Sequence, residues 1–547
     1  MRLPVLEGLL PVERSRVRAD VLAGLTLAAL GVPEVLGYAK IAGMPLVTGL
    51  YTLLLPMAVF AVLGSSRHLV VAADSATAAI LAAALAGLAV AGSPAYVKLA
   101  GLAALITAGM LLAARLARLA FLANFLSRTV LVGFLTGVGI QVAAGQLPDM
   151  LGVSAAGQST VPRLLRTLRA LPQAHWADVA IAVAVIVIVL VLRRITRQLP
   201  GPLIAVVAAI AVSKAADLAA HGVTVIGAVP RGLPDLTLPA FGWHNSAVLT
   251  GAAASMFVVI LAQSAATSRA YAAKYEEEVS EATDLVGLGA ANAAAAFAHG
   301  YPVAGGLSQS TVNDKAGART PMSLVFASAA IAVCLLFLTD LLRNLPDVVL
   351  AAIVLVAVKG LVNVAELRRT FTLSRVEFWV AMVAFASVLL LGILKGVLLA
   401  ALVSMVLLIR RAAVPPVSRL GRLPGTDRFA DHAHNPEAQD VPGTLIVRVE
   451  AALLYFNAGH VRDEVQRLVA EAGEGLRVVV WDLSTSPYVD IAGVRMLQDV
   501  ARELAARGIE VRVAEAHLTV RELLRKEGDA ALSLPAGRVT VAEAVAA

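Results

Sequence analysis

The stretch Gly31-Val32-Pro33-Glu34-Val35-Leu36-Gly37-Tyr38 lies inside a long apolar run that begins at about Val21. A proline and two glycines weaken a helix and free backbone groups. At membrane depth such groups are tolerated only where protein or a cavity satisfies them. Glu34 falls mid-span, and Tyr38, four residues on, shares its helix face. An intramembrane carboxylate is expensive and marks a functional site by default. The alternative is a structural glutamate bonded to a neighbouring helix.

The rest of the chain agrees with a lipid environment. Of its 547 residues, 59% are hydrophobic and only 15% charged, where soluble globular proteins carry about 25% charged residues. Aromatics are 5%, so Ala, Val, Leu and Gly supply the apolar bulk and let helices approach closely. The net charge of +7 does not indicate nucleic acid, because the basic residues sit in short clusters between apolar runs. The single cysteine, Cys334, excludes an internal disulfide and a cysteine metal cage. The run from Val21 exceeds a signal-peptide core and lacks a small-residue cleavage site, so it reads as the first spanning helix.

Apolar runs recur at 46–63, 69–91, 99–114, 130–142, 179–192 and 203–212, then at 248–262, 285–298, 322–338, 348–358, 376–394 and 397–409. With the first run and a broken segment near 302–312, they predict about fourteen spanning or half-spanning segments. Arg14, Arg16 and Arg18 precede the first span, and Arg410, Arg411, Arg419 and Arg422 follow the last. Both termini therefore read as cytoplasmic, with an even number of crossings. Clusters at Arg115/Arg118/Arg128, Arg193/Arg194/Arg197, Arg269/Lys274 and Arg368/Arg369/Arg375 fit that count, and the polar stretch His221–His244 falls outside. That stretch divides the body into two similar halves. Each begins with a span interrupted by polar residues and later carries a broken Gly- or Ser-rich segment, 64–77 and 299–313. Paired broken segments point to an inverted-repeat transporter.

Past Ile409, prolines 415, 416, 424, 436 and 442 punctuate a polar linker. Strands are predicted at 444–449, 477–483 and 509–514, and helices at 491–506 and 518–525. This alternation makes one small α/β domain. The expected division is an N-terminal segment 1–19, a transmembrane domain 20–412, a linker 413–441 and the α/β domain 442–547.

Gln263 and Thr267, again four apart in an apolar run, are the second half's counterpart of Glu34 and Tyr38. Gln263 alone could be helix-packing glue. The broken segments are Ala72-Ala73-Asp74-Ser75-Ala76-Thr77 and Gly305-Gly306-Leu307-Ser308-Gln309-Ser310-Thr311. In an inverted repeat they start half-helices whose N-termini face each other, where free amides and dipoles make an anion site. The alternative is ordinary N-caps of full helices. Asp74 would repel an anion in its charged form, and burial disfavours that form for Asp74 and Glu34 alike. Two such carboxyls beside an anion site suggest proton coupling, with a Na⁺ ligand as the rival reading. His299 reads as a capped or interfacial histidine. No phosphate-binding lysine loop, dinucleotide glycine fingerprint, H-E-x-x-H or Cys/His zinc spacing occurs, so no enzyme, metal or cofactor is expected.

At these residues the chain resembles the sulfate permease (SulP) anion transporters, whose animal relatives include prestin. The marks are Asp20-Val21-Leu22-Ala23-Gly24-Leu25-Thr26, Gly49-Leu50-Tyr51, Gly64-Ser65-Ser66-Arg67-His68, Tyr301-Pro302-Val303-Ala304-Gly305-Gly306, Val312-Asn313 and Ala316-Gly317-Ala318-Arg319-Thr320-Pro321. The C-terminal domain resembles a STAS domain at Pro442-Gly443, Leu454-Tyr455-Phe456-Asn457-Ala458 and Asp490-Ile491-Ala492-Gly493. The resemblance implies a seven-plus-seven inverted repeat with core and gate subdomains, elevator motion and a homodimer. By position it implies substrate contacts at Glu34, Tyr38, Asp74, Ser75, Gln263, Thr267, Ser308 and Gln309.

Six positions depart from the family's pattern. Ala72-Ala73 stands where Gly-Pro is usual, and Asp74 where an apolar residue is common. Glu34 replaces a frequent glutamine, and Gln263 a frequent acidic residue. Gln309 sits where some members carry arginine. The pocket is more acidic than the family's, which favours proton coupling through Glu34 and Asp74. Ala492 occupies the position where related bacterial domains carry a phosphorylated serine, which argues for docking to a cytoplasmic protein or bracing a dimer. The expectation is a multi-pass cell-membrane protein carrying a small anion with protons. Sulfate is the default, and bicarbonate or a C4-dicarboxylate, with H⁺ or Na⁺, is the rival. A scaffold or sensor signalling through the STAS domain is the other-class alternative.

Overall fold

Apolar runs bounded by arginine, proline or glycine become helices because lipid leaves the backbone no other donor or acceptor. The computed structural model describes residues 14–118, 128–153, 160–195, 201–239, 246–527, 532–533 and 537–547. Residues 1–13 of the expected N-terminal segment, Arg197 and the His244 end of the polar stretch lie outside them. The chain divides into two compact units, Met1–Ser404 and Met405–Ala547.

The first half of the membrane unit runs α1 (Arg14–Ile41), α2 (Leu46–Leu63), β1 (Val71–Ala73), α3 (Ser75–Leu85), α4 (Pro94–Leu116), α5 (Arg128–Leu151), α6 (Thr160–Ala170), α7 (Trp176–Ile195) and α8 (Gly201–Ala215). The second repeats the order: α9 (Ser246–Tyr275), α10 (Glu281–Phe297), β2 (Val303–Gly305), α11 (Leu307–Lys315), α12 (Met322–Val333), α13 (Asp347–Val358), α14 (Val364–Leu373), α15 (Arg375–Leu391) and α16 (Ile393–Ala413). Seven segments in each half, with α3 and α11 as the short third members, make the fourteen expected. Among the described residues, seven helices are long and apolar enough to cross a membrane unaided.

Helices α6 and α14 take the same place in the two halves and were not anticipated. In α6, Arg163, Arg166 and Arg169 share one face opposite Leu164, Leu165 and Leu168, the pattern of a helix lying in the membrane interface. A second difference concerns α1, which passes through Pro33 without ending. Its glycines serve packing: a side chain at Gly24 would strike the α12 backbone, and one at Gly37 would strike Val354 of α13. A third is the run 69–91, which divides into β1 and α3 and leaves helix at Ala86.

Helices α1–α4 pack with α9–α12 as the core group, whereas α5, α7, α13 and α15 pack together as the gate group. The two groups meet where α1 touches α13 and α3 touches α5. Two buried carboxylates fasten the halves within the core group. Asp20 accepts from Arg319 N (2.7 Å), Thr320 N (3.1 Å) and Thr320 Oγ1 (2.6 Å). Asp284 accepts from Ser65 N (2.8 Å), Ser66 N (3.0 Å), the Ser66 hydroxyl and Ser268 Oγ (3.1 Å). Each places a charge-assisted acceptor where loop amides would otherwise be orphaned.

The second unit is built on one sheet in the order β4-β3-β5-β6-β7-β8. Its elements are β3 (Val417–Arg422), β4 (Phe429–Asp431), β5 (Thr444–Val449), α17 (Ala458–Ala472), β6 (Val478–Asp482), α18 (Ile491–Ala505), β7 (Glu510–Ala514), α19 (Leu518–Glu527), β8 (Leu532–Ser533) and α20 (Val541–Ala546). Strands β5 to β8 run parallel; β3 and β4 are antiparallel additions. The residues read as linker therefore form two strands of this sheet, with the prolines lying outside the strands.

Gly133 of α5 faces the backbone of Ala381 on α15 so closely that any Cβ would overlap it. Gly133→Val is expected to cost roughly 1–3 kcal/mol through overpacking, read as a lower melting temperature in detergent. An unchanged melt would mean that α5 and α15 do not pack at this crossing.

Candidate anion site

Small, buried residues let two short extended segments meet inside the core group. Strand β1 pairs antiparallel with β2, with Val71 opposite Gly305, Ala72 opposite Ala304 and Ala73 opposite Val303. Helices α3 and α11 leave this ladder at opposite ends, so their N-termini point back at it. The remaining backbone groups are satisfied by side chains from the flanking helices, as burial requires. Ser264 Oγ of α9 accepts from Gly305 N (2.9 Å) and Ser310 Oγ from Val70 N (2.9 Å). Asn292 of α10 both donates to Val303 O and accepts from Val303 N, each at 3.0 Å. A Cβ on residue 305 would fall 2.7 Å from Leu69 and 2.9 Å from Ser264 Oγ, so glycine is what permits this approach.

The two half-helix starts differ. Asp74 is the N-cap of α3, and its Oδ2 accepts from Ala76 N (2.9 Å) and Thr77 N (3.4 Å). Those amides are already engaged by a carboxylate. The N-cap of α11 is Gly306, which has no side chain to offer, and among the described residues no side-chain cap hydrogen bond is made there. The open amides thus belong to α11 alone, a correction to the symmetric pair of tips expected from the sequence.

Helix α1 brings Glu34 and Tyr38 against the start of α11. Tyr38 donates to Glu34 Oε1 at 2.8 Å, and Ser308 Oγ lies 3.4 Å from the same oxygen. Gln309 also faces Glu34, Asp74 is within electrostatic reach of it, and the Gln309 amide nitrogen reaches Ala73 O at 3.5 Å. Ser75 is buried in the first turn of α3. Glu34 and Asp74 are partly accessible and Ser308 is exposed. Among the described residues neither carboxylate pairs with lysine or arginine, and no three His, Cys, Asp or Glu side chains converge as metal ligands do.

Among the described residues Gln263 and Thr267 form no hydrogen bond with that cluster, and they are placed by register. Farther along their stripe of α9, Tyr271 donates to Thr311 (3.1 Å) and Lys274 pairs with Asp314 (2.6 Å) on α11. The same parallel register carried back one turn sets Thr267 beside the start of α11 and Gln263 level with the ladder. Gln263 Oε1 is buried without a partner, as is Gln309 Oε1. His299 lies apart from the cluster, 3.2 Å from Thr237 Oγ1. Sequence reasoning missed Ser264, Asn292 and the role of Ser310. Asn292, alone in a run of alanines, carried the same signal as Glu34, a polar residue in an apolar span. Tyr301 is fully buried with an unpartnered hydroxyl and stands close enough to Asp74 and Tyr38 to interact electrostatically.

Comparison with known proteins matches residues 17–384 to the Sulfate permease family and residues 435–543 to the STAS domain. A Mycobacterium tuberculosis protein described as a probable sulfate transporter is 34% identical over 513 residues, covering 94% of this chain and 92% of its own. Probable sulfate transporter 3.3 of Arabidopsis thaliana is 29% identical, covering 99% and 90%. The SLC26A9 structure superposes with a TM-score of 0.88 at 20% identity, covering 97% of this chain and 90% of its own. The transmembrane domain of the cyanobacterial bicarbonate transporter BicA gives 0.62 at 21% identity, covering 72% and 98%. At these identities the two structures show a shared fold.

The N-cap contact separates two roles of Asp74. Asp74→Asn keeps a capping oxygen and is expected to melt like wild type. Asp74→Ala loses it and is expected to cost about 1 kcal/mol. Equal melting of the two variants would remove the cap as a stability element.

Proposed function

Because the chain belongs to the sulfate permease family, and is therefore a multi-pass anion transporter rather than an enzyme, we propose that it is a secondary active carrier with sulfate as its default substrate and the proton as its coupling ion. The observation that carries this is the uncapped start of α11 beside two partly buried carboxyls, Glu34 and Asp74, with no pairing cation among the described residues. The α11 amides and dipole attract the anion. Glu34 and Asp74 repel it when charged. Burial and an approaching anion each favour the protonated carboxyl, so anion and proton bind together. Tyr38, Ser75, Gln263, Thr267, Ser308 and Gln309 supply polar contacts around the anion. Na⁺ is the weaker coupling ion, because the family's acidic position on α9 is Gln263 here.

The core group, α1–α4 with α9–α12, carries the site and moves against the gate group in an elevator-like cycle. The chain works as a homodimer in the cell membrane. Both termini face the cytoplasm, a placement supported by the arginines in the first turns of α1 and at the end of α16 and by the even number of segments. The division of the chain is 1–19, 20–412, 413–441 and 442–547, the third stretch being folded into the sheet of the fourth. The STAS domain docks a cytoplasmic protein or braces the dimer. Exposed Tyr488 and Ile491 beside Ala492 support that role over a phosphorylation switch. The acidic lining weakens the assignment to sulfate, and bicarbonate or a C4-dicarboxylate is the second substrate reading.

Uptake into proteoliposomes across labelled sulfate, bicarbonate and C4-dicarboxylates, with and without a proton gradient, tests this directly. Carboxyls fill with protons as pH falls, so uptake is expected to rise when the outer side is made more acidic. In Glu34→Gln the ratio of uptake with and without the gradient is expected to fall to about one. Unchanged pH dependence in a folded Glu34→Gln protein would discard Glu34 as the coupling group. Ser308→Trp is expected to abolish uptake of every anion while leaving the melting temperature unchanged. Normal uptake by that variant would move the site away from α11.

A further inference from the structure

Lys40, in the last turn of α1, reaches from the core group to the gate group. Its Nζ is 3.0 Å from Asp149 Oδ2 near the end of α5 and 3.6 Å from Asp347 Oδ2 at the start of α13. It also lies 3.4 Å from the Asp347 carbonyl oxygen. Asp347 is itself held, its N–H donating to Thr224 O at 2.9 Å. One cation of the core group is thus shared by two carboxylates on two gate helices.

The same end of α1 is sealed. Tyr38, Ala39, Ala42 and Met44 are buried. Tyr96 donates to Ala42 O at 2.7 Å, and Gly92 N to Gly43 O at 2.8 Å. Lys40 stands six residues beyond Glu34, about 9 Å along the helix axis. The first two residues of α11, level with Glu34, are open, Leu307 being 59% exposed, and α11 runs on from there toward the Asp20 end of α1. The site is therefore shut toward the Lys40 end and accessible away from it.

We propose that Lys40, Asp149 and Asp347 form a charge latch that closes the site toward this face of the membrane and parts when the site opens there. Lys40 is a positioning residue; it touches no substrate. Partly exposed ion pairs are individually weak. Two sharing one lysine bias the equilibrium between orientations by roughly tenfold without locking it, which suits a contact broken in every cycle. A hydrophobic seal of the same extent would not discriminate in this way. The position demands a charge of one sign on α1 and the opposite sign on both gate helices.

The latch rests on the transport reading for its motion, so the test reads accessibility and uptake separately. With Cys334→Ser as background, Leu307→Cys reports on the start of α11. It is labelled by a membrane-impermeant thiol reagent in intact cells and in inverted vesicles. Lys40→Ala is expected to raise labelling from the Lys40 face by about tenfold, Lys40→Arg to keep the original level, and paired Asp149→Asn with Asp347→Asn to reproduce Lys40→Ala. Should Lys40→Ala fail to fold, the paired aspartate variant gives the same readout. Unchanged labelling from that face in a variant that melts like the parent would overturn the latch. A labelling shift with no uptake of any anion would uphold the latch and sink the transport reading. Normal uptake with no shift would do the reverse.

Discussion

Everything in the membrane unit depends on one constraint: an extended backbone cannot sit at membrane depth unless each of its N–H and C=O groups finds a partner in protein. The β1–β2 ladder meets it in two ways. The strands satisfy each other over three residue pairs. Their outer groups are taken by Ser264, Asn292 and Ser310, each from a different helix of the core group. The helices around the ladder are thereby fixed relative to it, and so are the starts of α3 and α11. Asp20 and Asp284 repeat the device at loops, each using a buried carboxylate of one half to hold amides of the other. The two halves of the core group are thus fastened to each other in three places by polar contacts.

The same constraint shapes the chemistry. A half-helix start with open amides is a positive feature that costs no charged side chain. Asp74 spends one such start on its own carboxylate, leaving α11 as the open one. With Glu34 opposite, the site holds acid groups and amides instead of a fixed cation. The gate group contributes none of the eight residues assigned to the site. It contributes a wall against α1, and at one end a pair of aspartates for Lys40.

The sequence, without any coordinates, determined the lipid environment, the segment count and the two halves, and it named the residues proposed for the site. Charge and apolarity along a chain are local properties, and a carboxylate in an apolar run is as costly in sequence as in space. It also placed β5, β6 and β7 to within a residue, because strands buried on both faces read as near-continuous apolar runs. It missed α17, whose apolar stripe at Val461, Val465 and Leu468 is interleaved with charge. It missed β3 and β4 too, which are short and proline-flanked and become strands only by adding to an existing edge. Tertiary structure alone decided that α1 continues through Pro33, that Asp74 caps its own helix while Gly306 leaves α11 open, and that Lys40 finds its partners on α5 and α13. The Lys40 pairs turn on atoms that meet at 3.0 and 3.6 Å between residues far apart in the chain, and no local pattern encodes that meeting.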